Sequence, residues 1–427
     1  MSSKKTRIGF ISTRFSGTDG VSLETKKWVK VLRSMGHKCF FFAGISDWEQ
    51  DHSYVVEEAH FDYPEIRSLN VDLFDDYRRE PETSRRIHDL AHYLKNHLMK
   101  FIQRFDIKIL IVENALALPM NVPLGLALTE LIAEDSIPTI GHHHDFTWER
   151  ERYVVSAAED YLNGSFPPTL HHIRHVVINT YAQRQLALRT GVSSTLIPNV
   201  MDFDNPPQPS DGYTDDMRAE LGVGPQDCFL LQPTRVVPRK RIEQAIELTR
   251  RLGVQSSLVI THHAGDEGSE YQEYLERYAR LMNVNVLFAA DRFAPARGRT
   301  PSGEKIYSLG DAYRQANIVT YPSRVEGFGN AFLETIYYKR PIVMSTYEIF
   351  KTDIQPKGFK IITFDDFIGD GCVRQVKKIL EHPDKAKQMV EHNYELGRQH
   401  YSYTMLKNRL GALLNEVLGL ESEAFRT

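Results

Sequence analysis

The chain has 427 residues, with 52 Lys+Arg against 56 Asp+Glu, a formal charge of −4, 41% hydrophobic and 25% charged residues. That length predicts two domains, each large enough for a full core, and the composition is that of an ordinary soluble globular protein. The near-neutral balance excludes a dedicated nucleic-acid binder, whose domain would be strongly basic.

Cys39, Cys228 and Cys372 lie too far apart for a disulfide framework or a four-cysteine zinc site, and they suit a reducing cytoplasm. The N-terminus lacks the long apolar core and cleavage site of a signal peptide. Its richest apolar region, Ile107 to Leu131, is interrupted by Lys108, Glu113, Asn114, Pro119 and Pro123. No membrane-spanning segment is expected. Together these features predict a cytoplasmic protein without integral membrane contact.

In chain order, Ile8–Ser12 is a short apolar strand and Phe15–Gly20 a turn-rich loop. Leu23, Trp28, Val31, Leu32 and Met35 then fall at helical spacing before Gly36, and Cys39–Ala43 is the next strand. Further strands are expected at Ile107–Glu113, Pro138–His142 and His175–Asn179, with a proline-punctuated loop over Leu116–Leu126. Pro198–Tyr213, with its prolines among Asp, Asn and Ser, is the expected linker. A second βα series follows: strands Phe229–Gln232, Ser257–Thr261, Asn285–Ala289, Ile318–Tyr321 and Pro341–Ser345, alternating with helices Arg241–Leu252, Glu270–Leu281, Leu309–Gln315 and Asn330–Tyr338. Glu391–Leu418 is helical in pattern. Such alternation predicts α/β architecture with two parallel doubly wound sheets, whose carboxyl ends border a ligand cleft.

The segment Tyr321-Pro-Ser-Arg-Val-Glu326-Gly-Phe-Gly-Asn330, continuing to Glu334, reads as strand, tight glycine turn and helix start. Backbone N–H groups at such a start, with the helix dipole, suit phosphate oxygens. Glu326 and Glu334, about two turns apart, can accept hydrogen bonds from sugar or ribose hydroxyls. The bland reading is a capped surface helix with solvated glutamates. A second strand end, Gln232-Pro-Thr-Arg235-Val-Val-Pro-Arg-Lys240-Arg241, offers a guanidinium and an ammonium five residues apart. They suit a diphosphate, one bidentate and one as a point charge, and could stabilise it as it departs. An exposed basic turn is the competing reading.

A third strand end carries His142-His143-His144-Asp145, followed by Trp148-Glu149-Arg150-Glu151-Arg152. Imidazole and carboxylate are good metal ligands. Consecutive strand residues alternate faces, so the three histidines do not converge on one ion and no metal is expected. Glu113-Asn114 ends a neighbouring strand, where an acceptor wall and an ordinary βα connection are both open readings. Trp148–Arg152 suits either a charged acceptor or a solvated helix face.

Together these segments resemble the retaining glycosyltransferases of family 4. The Glu-x7-Glu element is Glu326 to Glu334 in the setting Pro-Ser-x-x-Glu-Gly-Phe-Gly, and the Arg-x4-Lys element is Arg235 to Lys240. Ile197-Pro-Asn-Val200, Gly36-His37 and the loop Gly17–Gly20 match as well, in the family's order. The resemblance implies the GT-B fold: two Rossmann-like domains facing across a cleft. Residues 1–205, plus a C-terminal helix from about 402 to 427 crossing back, would form the acceptor side, and residues 206–401 the nucleotide-sugar side.

By the same resemblance, Arg235 and Lys240 would hold the diphosphate, assisted by Gly327, Phe328, Gly329 and Asn330, with Gly20 approaching from the other domain. Glu334 would bind the ribose, Glu326 the transferred sugar or the reacting centre, and His144, six residues after Pro138, that sugar or its developing charge. Glu113, Asn114, His143, Asp145 and Trp148 are acceptor-side candidates. The implied reaction is retaining transfer of a hexosyl group from GDP-mannose or UDP-glucose to a hydroxyl of a soluble small molecule, anionic or neutral, without metal or bound cofactor.

The chain departs from the family after Glu334, where Thr335–Arg340 replaces a small-residue run. Thr346–Phe350 stands in place of a Gly-Gly segment, and Ala296–Gly303 is a polar, Arg-rich insertion. Two other functions fit less of the chain. A dinucleotide oxidoreductase would need the full Gly-x-Gly-x-x-Gly spacing, which Gly17–Gly20 lacks. A sugar- or nucleotide-binding protein without catalysis would not need Arg235, Lys240, Glu326 and Glu334 together. Asp202-Phe-Asp204, which looks like a metal-binding Asp-x-Asp, reads as a linker turn.

Overall fold

The computed structural model describes residues 5–17, 19–264 and 268–424. Thr18 of the Gly17–Gly20 loop and the last three residues of the expected C-terminal helix lie outside the described residues. The chain divides into two compact units, Met1–Val200 with Tyr403–Thr427, and Met201–Ser402.

In the first unit, β1 (Arg7–Ile11), β2 (Lys38–Ala43), β3 (Ser53–Val55), β4 (Ile109–Glu113), β5 (Thr139–His143), β6 (Ile173–Val177) and β7 (Ser194–Leu196) form one parallel sheet. Its order is β3-β2-β1-β4-β5-β6-β7. Period-two alternation sorts the central strands between two cores. Ile8, Phe10, Ile109, Ile111 and Ile140 face Trp28, Val31 and Leu32 on one side. Ile11, Leu110 and Val112 face Leu94, Leu98 and Phe101 on the other. The helix Gly20–Ser34 starts where Asp19 accepts from the Val21 and Ser22 N–H groups, both at 3.1 Å. Leu406, Leu410, Leu413 and Val417 of the C-terminal helix join the first of these cores, so this helix packs on this unit.

Several elements differ from the sequence expectation. The expected loop Leu116–Leu126 is helical from Val122, because the Asn121 side chain accepts from Leu124 N–H at 2.9 Å and Pro123 sits in the first turn, where it needs no N–H partner. Trp148–Arg152 forms two 3-10 turns rather than a helix face. The helical stretch expected over Glu391–Leu418 breaks at Ser402, whose extended backbone separates Pro383–Tyr401 from Tyr403–Ala424. The first unit ends at Val200 rather than at residue 205. Val200 N–H donates to buried Glu24 (3.2 Å) and its carbonyl accepts from Lys27 (2.6 Å), whereas Met201 N–H donates to Tyr401 of the second unit. This also gives Ile197-Pro-Asn-Val200 a physical role.

The second unit holds β8 (Cys228–Gln232), β9 (Ser256–Ile260), β10 (Asn285–Phe288), β11 (Gly298–Arg299), β12 (Lys305–Ile306), β13 (Ile318–Tyr321), β14 (Ile342–Ser345) and β15 (Ile362–Phe364). Six of them form a parallel sheet, β10-β9-β8-β13-β14-β15. The polar insertion is an antiparallel hairpin, β11 with β12, and Tyr213 donates to both of its strands, at Gly298 O (3.1 Å) and Ile306 O (3.0 Å). Arg297 beside it pairs with buried Asp311 at 2.6 Å. In each large sheet the strand order reverses between two adjacent central strands, β1/β4 and β8/β13. Ligands of open α/β sheets collect outside the carboxyl ends at such points.

One core pair makes stability depend on pH. His143 Nε2 lies 2.8 Å from His175 Nδ1, both rings buried. Burial pushes His143 well below the ordinary imidazole value and His175 from 6.5 to about 4, so folding favours neutral rings. The stability is fully present above the unfolded value and is lost as pH falls towards 4, a loss on the order of 2–3 kcal/mol. His175→Gln is expected to flatten the fall in melting temperature between about pH 7 and pH 5; an unchanged slope would assign that fall to other groups.

Candidate functional site

At the β8/β13 reversal the two motif segments lie side by side. Val319 is in register with Leu231, so both strands end together. Beyond them the loops are tied by Arg324 N–H donating to Arg239 O at 2.9 Å. A 3-10 turn over Pro238–Lys240 directs Lys240 inward, and its ammonium pairs with Glu326 and lies 5.5 Å from the Tyr321 ring centroid. Side-chain exposure is 9% for Lys240 and 10% for Glu326.

Burial lowers the Lys240 ammonium below its ordinary range, against the pull of Glu326. Burial would raise Glu326, but the Lys240 charge and hydrogen bond outweigh it and hold the carboxyl below its usual range. The result is an ion pair poised near solvent. Arg239 stands 3.7 Å from the same carboxylate. Arg235 is exposed, and its guanidinium has no ion-pair partner among the described residues.

The glycine turn leads into the helix Asn330–Tyr337, which no side chain caps at its start. Gly329 has φ +112°, and a Cβ there would stand 2.6 Å from the Tyr347 hydroxyl. That hydroxyl donates to Phe328 O at 2.8 Å and braces the turn from behind. Phe328 is only 3% exposed and packs edge-on against Tyr401, so its side chain is core and only its backbone faces the loop. Gly327 is exposed, and Asn330 and Glu334 are half-buried. Fully buried Tyr313 donates to Glu334 at 2.8 Å. Its phenol is held far above the ordinary range by burial and by Glu334, so it remains a donor and fixes the carboxylate's orientation.

Tyr313 and Tyr347 escaped the sequence reading, since nothing in their local pattern marks them. His262, at the end of β9, escaped as well, although its position one strand over from Arg235 was a usable signal. Burial and the charges of Lys240 and Arg235 push it to about 4. It is therefore a neutral ring beside a cationic site.

In the first unit, Gly20 opens its helix, and an added Cβ there would meet none of the described residues within 4 Å. The histidine run behaves as alternation requires, with an outcome the sequence argument missed. Glu113 lies opposite His142 in register, and His142 and His144 share its face. Glu113 Oε2 is 2.9 Å from His142 Nδ1 and 3.3 Å from His144 Nε2. Among the described residues these three are grouped closely enough to hold a metal ion, with Glu113 in the place of His143.

His143 points to the opposite face, against His175, fully buried, and offers nothing to an acceptor. Glu113, also fully buried, and Asn114 act inside the loop rather than on its surface. Asp145 pairs with Arg150 at 2.7 Å, and Trp148 stacks on Phe146 with Arg189 above it.

Residues 214–396 match the family described as "Glycosyl transferases group 1". The chain is 32% identical to mannosylglucosylglycerate synthase of Thermotoga maritima over 95% of this chain and 98% of that protein. It is 33% identical to the protein of that name from Petrotoga mobilis, over 83% and 86%. Among solved structures, a glycosyltransferase from Rickettsia africae superimposes with a TM-score of 0.69 at 12% identity, over 97% and 99% of the two chains. Among the described residues, no helix is long and apolar enough to cross a membrane. With the doubly wound sheets and the Arg235–Lys240 and Glu326–Glu334 elements meeting at one strand-order reversal, the chain belongs to the group 1 glycosyltransferases and is a glycosyltransferase of the GT-B fold.

Proposed function

We propose that this enzyme transfers a mannosyl group from GDP-mannose to a hydroxyl of glucosylglycerate, a small anionic acceptor, with retention of anomeric configuration. The observation that carries the donor half is the ion pair of Lys240 with Glu326 across adjacent strand ends, next to Arg235, which has no ion-pair partner among the described residues. An ammonium has three N–H donors, so Lys240 can serve Glu326 and a phosphate oxygen together. Arg235 grips the diphosphate bidentately, the Gly327–Asn330 backbone approaches it, and Glu334, held by Tyr313, accepts from the ribose. Glu326 meets the transferred sugar. The names of the relatives support the mannosyl group and the acceptor. A relative only 24% identical, mannosylglucosyl-3-phosphoglycerate synthase of Petrotoga mobilis, makes the phosphorylated acceptor the comparison to run.

In the reaction, the bond between the anomeric carbon and the diphosphate oxygen breaks. The acceptor oxygen bonds to the same face of that carbon, and its proton leaves to a diphosphate oxygen. Arg235 and Lys240 stabilise the charge that develops on the departing group. By the family resemblance, Gly20 is assigned to the diphosphate and His144 to the transferred sugar. With two cations at the diphosphate, the reading calls on no divalent metal or bound cofactor.

The test incubates the enzyme with GDP-mannose or UDP-glucose and with glucosylglycerate or its phosphorylated form, following the anomeric signal by NMR. Retained mannosyl transfer to glucosylglycerate is expected. Transfer from UDP-glucose alone would overturn the donor assignment, and absence of both transfer and thermal stabilisation by any nucleoside diphosphate would favour a binding protein. Arg235→Ala is expected to leave melting unchanged, because the side chain is exposed, while cutting transfer by about 10²-fold. Wild-type turnover in that variant would remove Arg235 from the donor site.

A further inference from the structure

We propose that Glu113 and Asn114 are positioning residues for His144, the Glu113 carboxylate fixing its ring and the Asn114 amide fixing its backbone. This rests on the reading that His144 meets the transferred sugar.

The geometry is a two-residue clamp at the end of β4. The Asn114 side-chain oxygen accepts from His144 N–H at 2.8 Å and from Asp145 N–H at 3.4 Å. Asn114 N–H donates to His142 O at 3.0 Å, and Asn114 holds φ +61°, a conformation asparagine tolerates better than most residues. Glu113 is fixed in turn, its carbonyl accepting from Ser12 Oγ at 3.2 Å.

Burial would raise the Glu113 carboxyl, but the His142 and His144 N–H groups bring it below the ordinary range. An ionised carboxylate only accepts, so His142 donates through Nδ1–H and His144 through Nε2–H. This tautomer leaves Nδ1 and the backbone carbonyl of His144 for a sugar. Burial lowers His142, which stacks on Trp28 with ring centroids 4.0 Å apart and stays neutral. Burial also works against His144, but Glu113, Glu24 on the helix Gly20–Ser34 and Asp145 in its own loop raise it above the ordinary value. Among the described residues, Glu113 Oε1 and His142 Nε2 are buried without partners, a cost that packing alone does not explain.

The experiment compares H144A, E113Q, N114A and the double variant H144A/E113Q for kcat, donor KM and pH profile. It also follows the His144 ring in the wild-type enzyme by 15N NMR. E113Q is expected to lower kcat by about tenfold or more with donor KM unchanged, and to move the His144 titration to lower pH. N114A should lower kcat without moving that titration. The double variant should be no slower than H144A, because both changes remove one arrangement.

Wild-type kcat and an unmoved titration in E113Q would overturn the clamp, as would additive losses in the double variant. Activity lost to a chelator and restored by zinc would replace the clamp with a metal site. If E113Q fails to fold, N114A decides, and wild-type kcat in that variant would overturn the proposal. Full activity in H144A would instead sink the reading of His144 itself, leaving its hydrogen bonds to Glu113 and Asn114 purely structural.

Discussion

Lys240→Ala is expected to reduce glycosyl transfer by at least about 10³-fold and to destabilise the second unit. Two effects combine. The variant loses the buried cation proposed to hold the diphosphate, and it leaves Glu326 ionised and nearly buried with only the Arg239 guanidinium, 3.7 Å away, as a charged neighbour. Breaking a buried pair from one side costs about 3–5 kcal/mol, which in a unit of this size lowers melting by roughly 10 °C. The double variant Lys240→Ala with Glu326→Gln separates the effects: stability should largely return because no buried charge remains, while transfer should stay lost. Melting curves and turnover of both variants are the measurement. Recovery of transfer in the double variant would show that Lys240 serves only to neutralise Glu326.

Gly329→Ala is expected to collapse the proposed donor loop while leaving the rest of the sheet intact. At φ +112° alanine is strained by about 1–3 kcal/mol, and its Cβ would stand 2.6 Å from the Tyr347 hydroxyl. Tyr347 must then move away and release Phe328 O, the contact that braces the turn. Donor affinity, measured by calorimetry with the nucleoside diphosphate, should fall by tenfold or more, on the order of 1.4 kcal/mol. Adding Tyr347→Phe removes the clashing oxygen but not the strain, so recovery should be partial. Unchanged affinity in Gly329→Ala would place nucleotide binding elsewhere.

Much of this site could be read along the chain because it consists of strand ends and turns. Arg235, Lys240, Glu326 and Gly329 stand where a strand's period-two pattern gives way to turn residues, and such a change needs no knowledge of distant neighbours. Leu309–Gln315 and Ile318–Tyr321 matched to the residue for the same reason. The helices Pro64–Phe74 and Pro81–Phe105 were missed, and the second of these carries much of one core through Leu94, Leu98 and Phe101.

What the sequence by itself determined is the class: which residue types sit at strand ends, where glycine is obligatory, and that two doubly wound sheets carry them. The tertiary structure alone decided which side chains meet. The register of β4 with β5 sets Glu113 beside His142 and His144 and turns His143 away; a slip of one residue would reverse every face. The pairing of β8 with β13 sets Lys240 on Glu326, 86 residues apart. Tyr313 and Tyr347 become supports because folding brings their hydroxyls to Glu334 and Phe328 across about twenty residues. Local pattern reports backbone conformation and burial, whereas hydrogen bonds between distant side chains exist only once strand order and register are set.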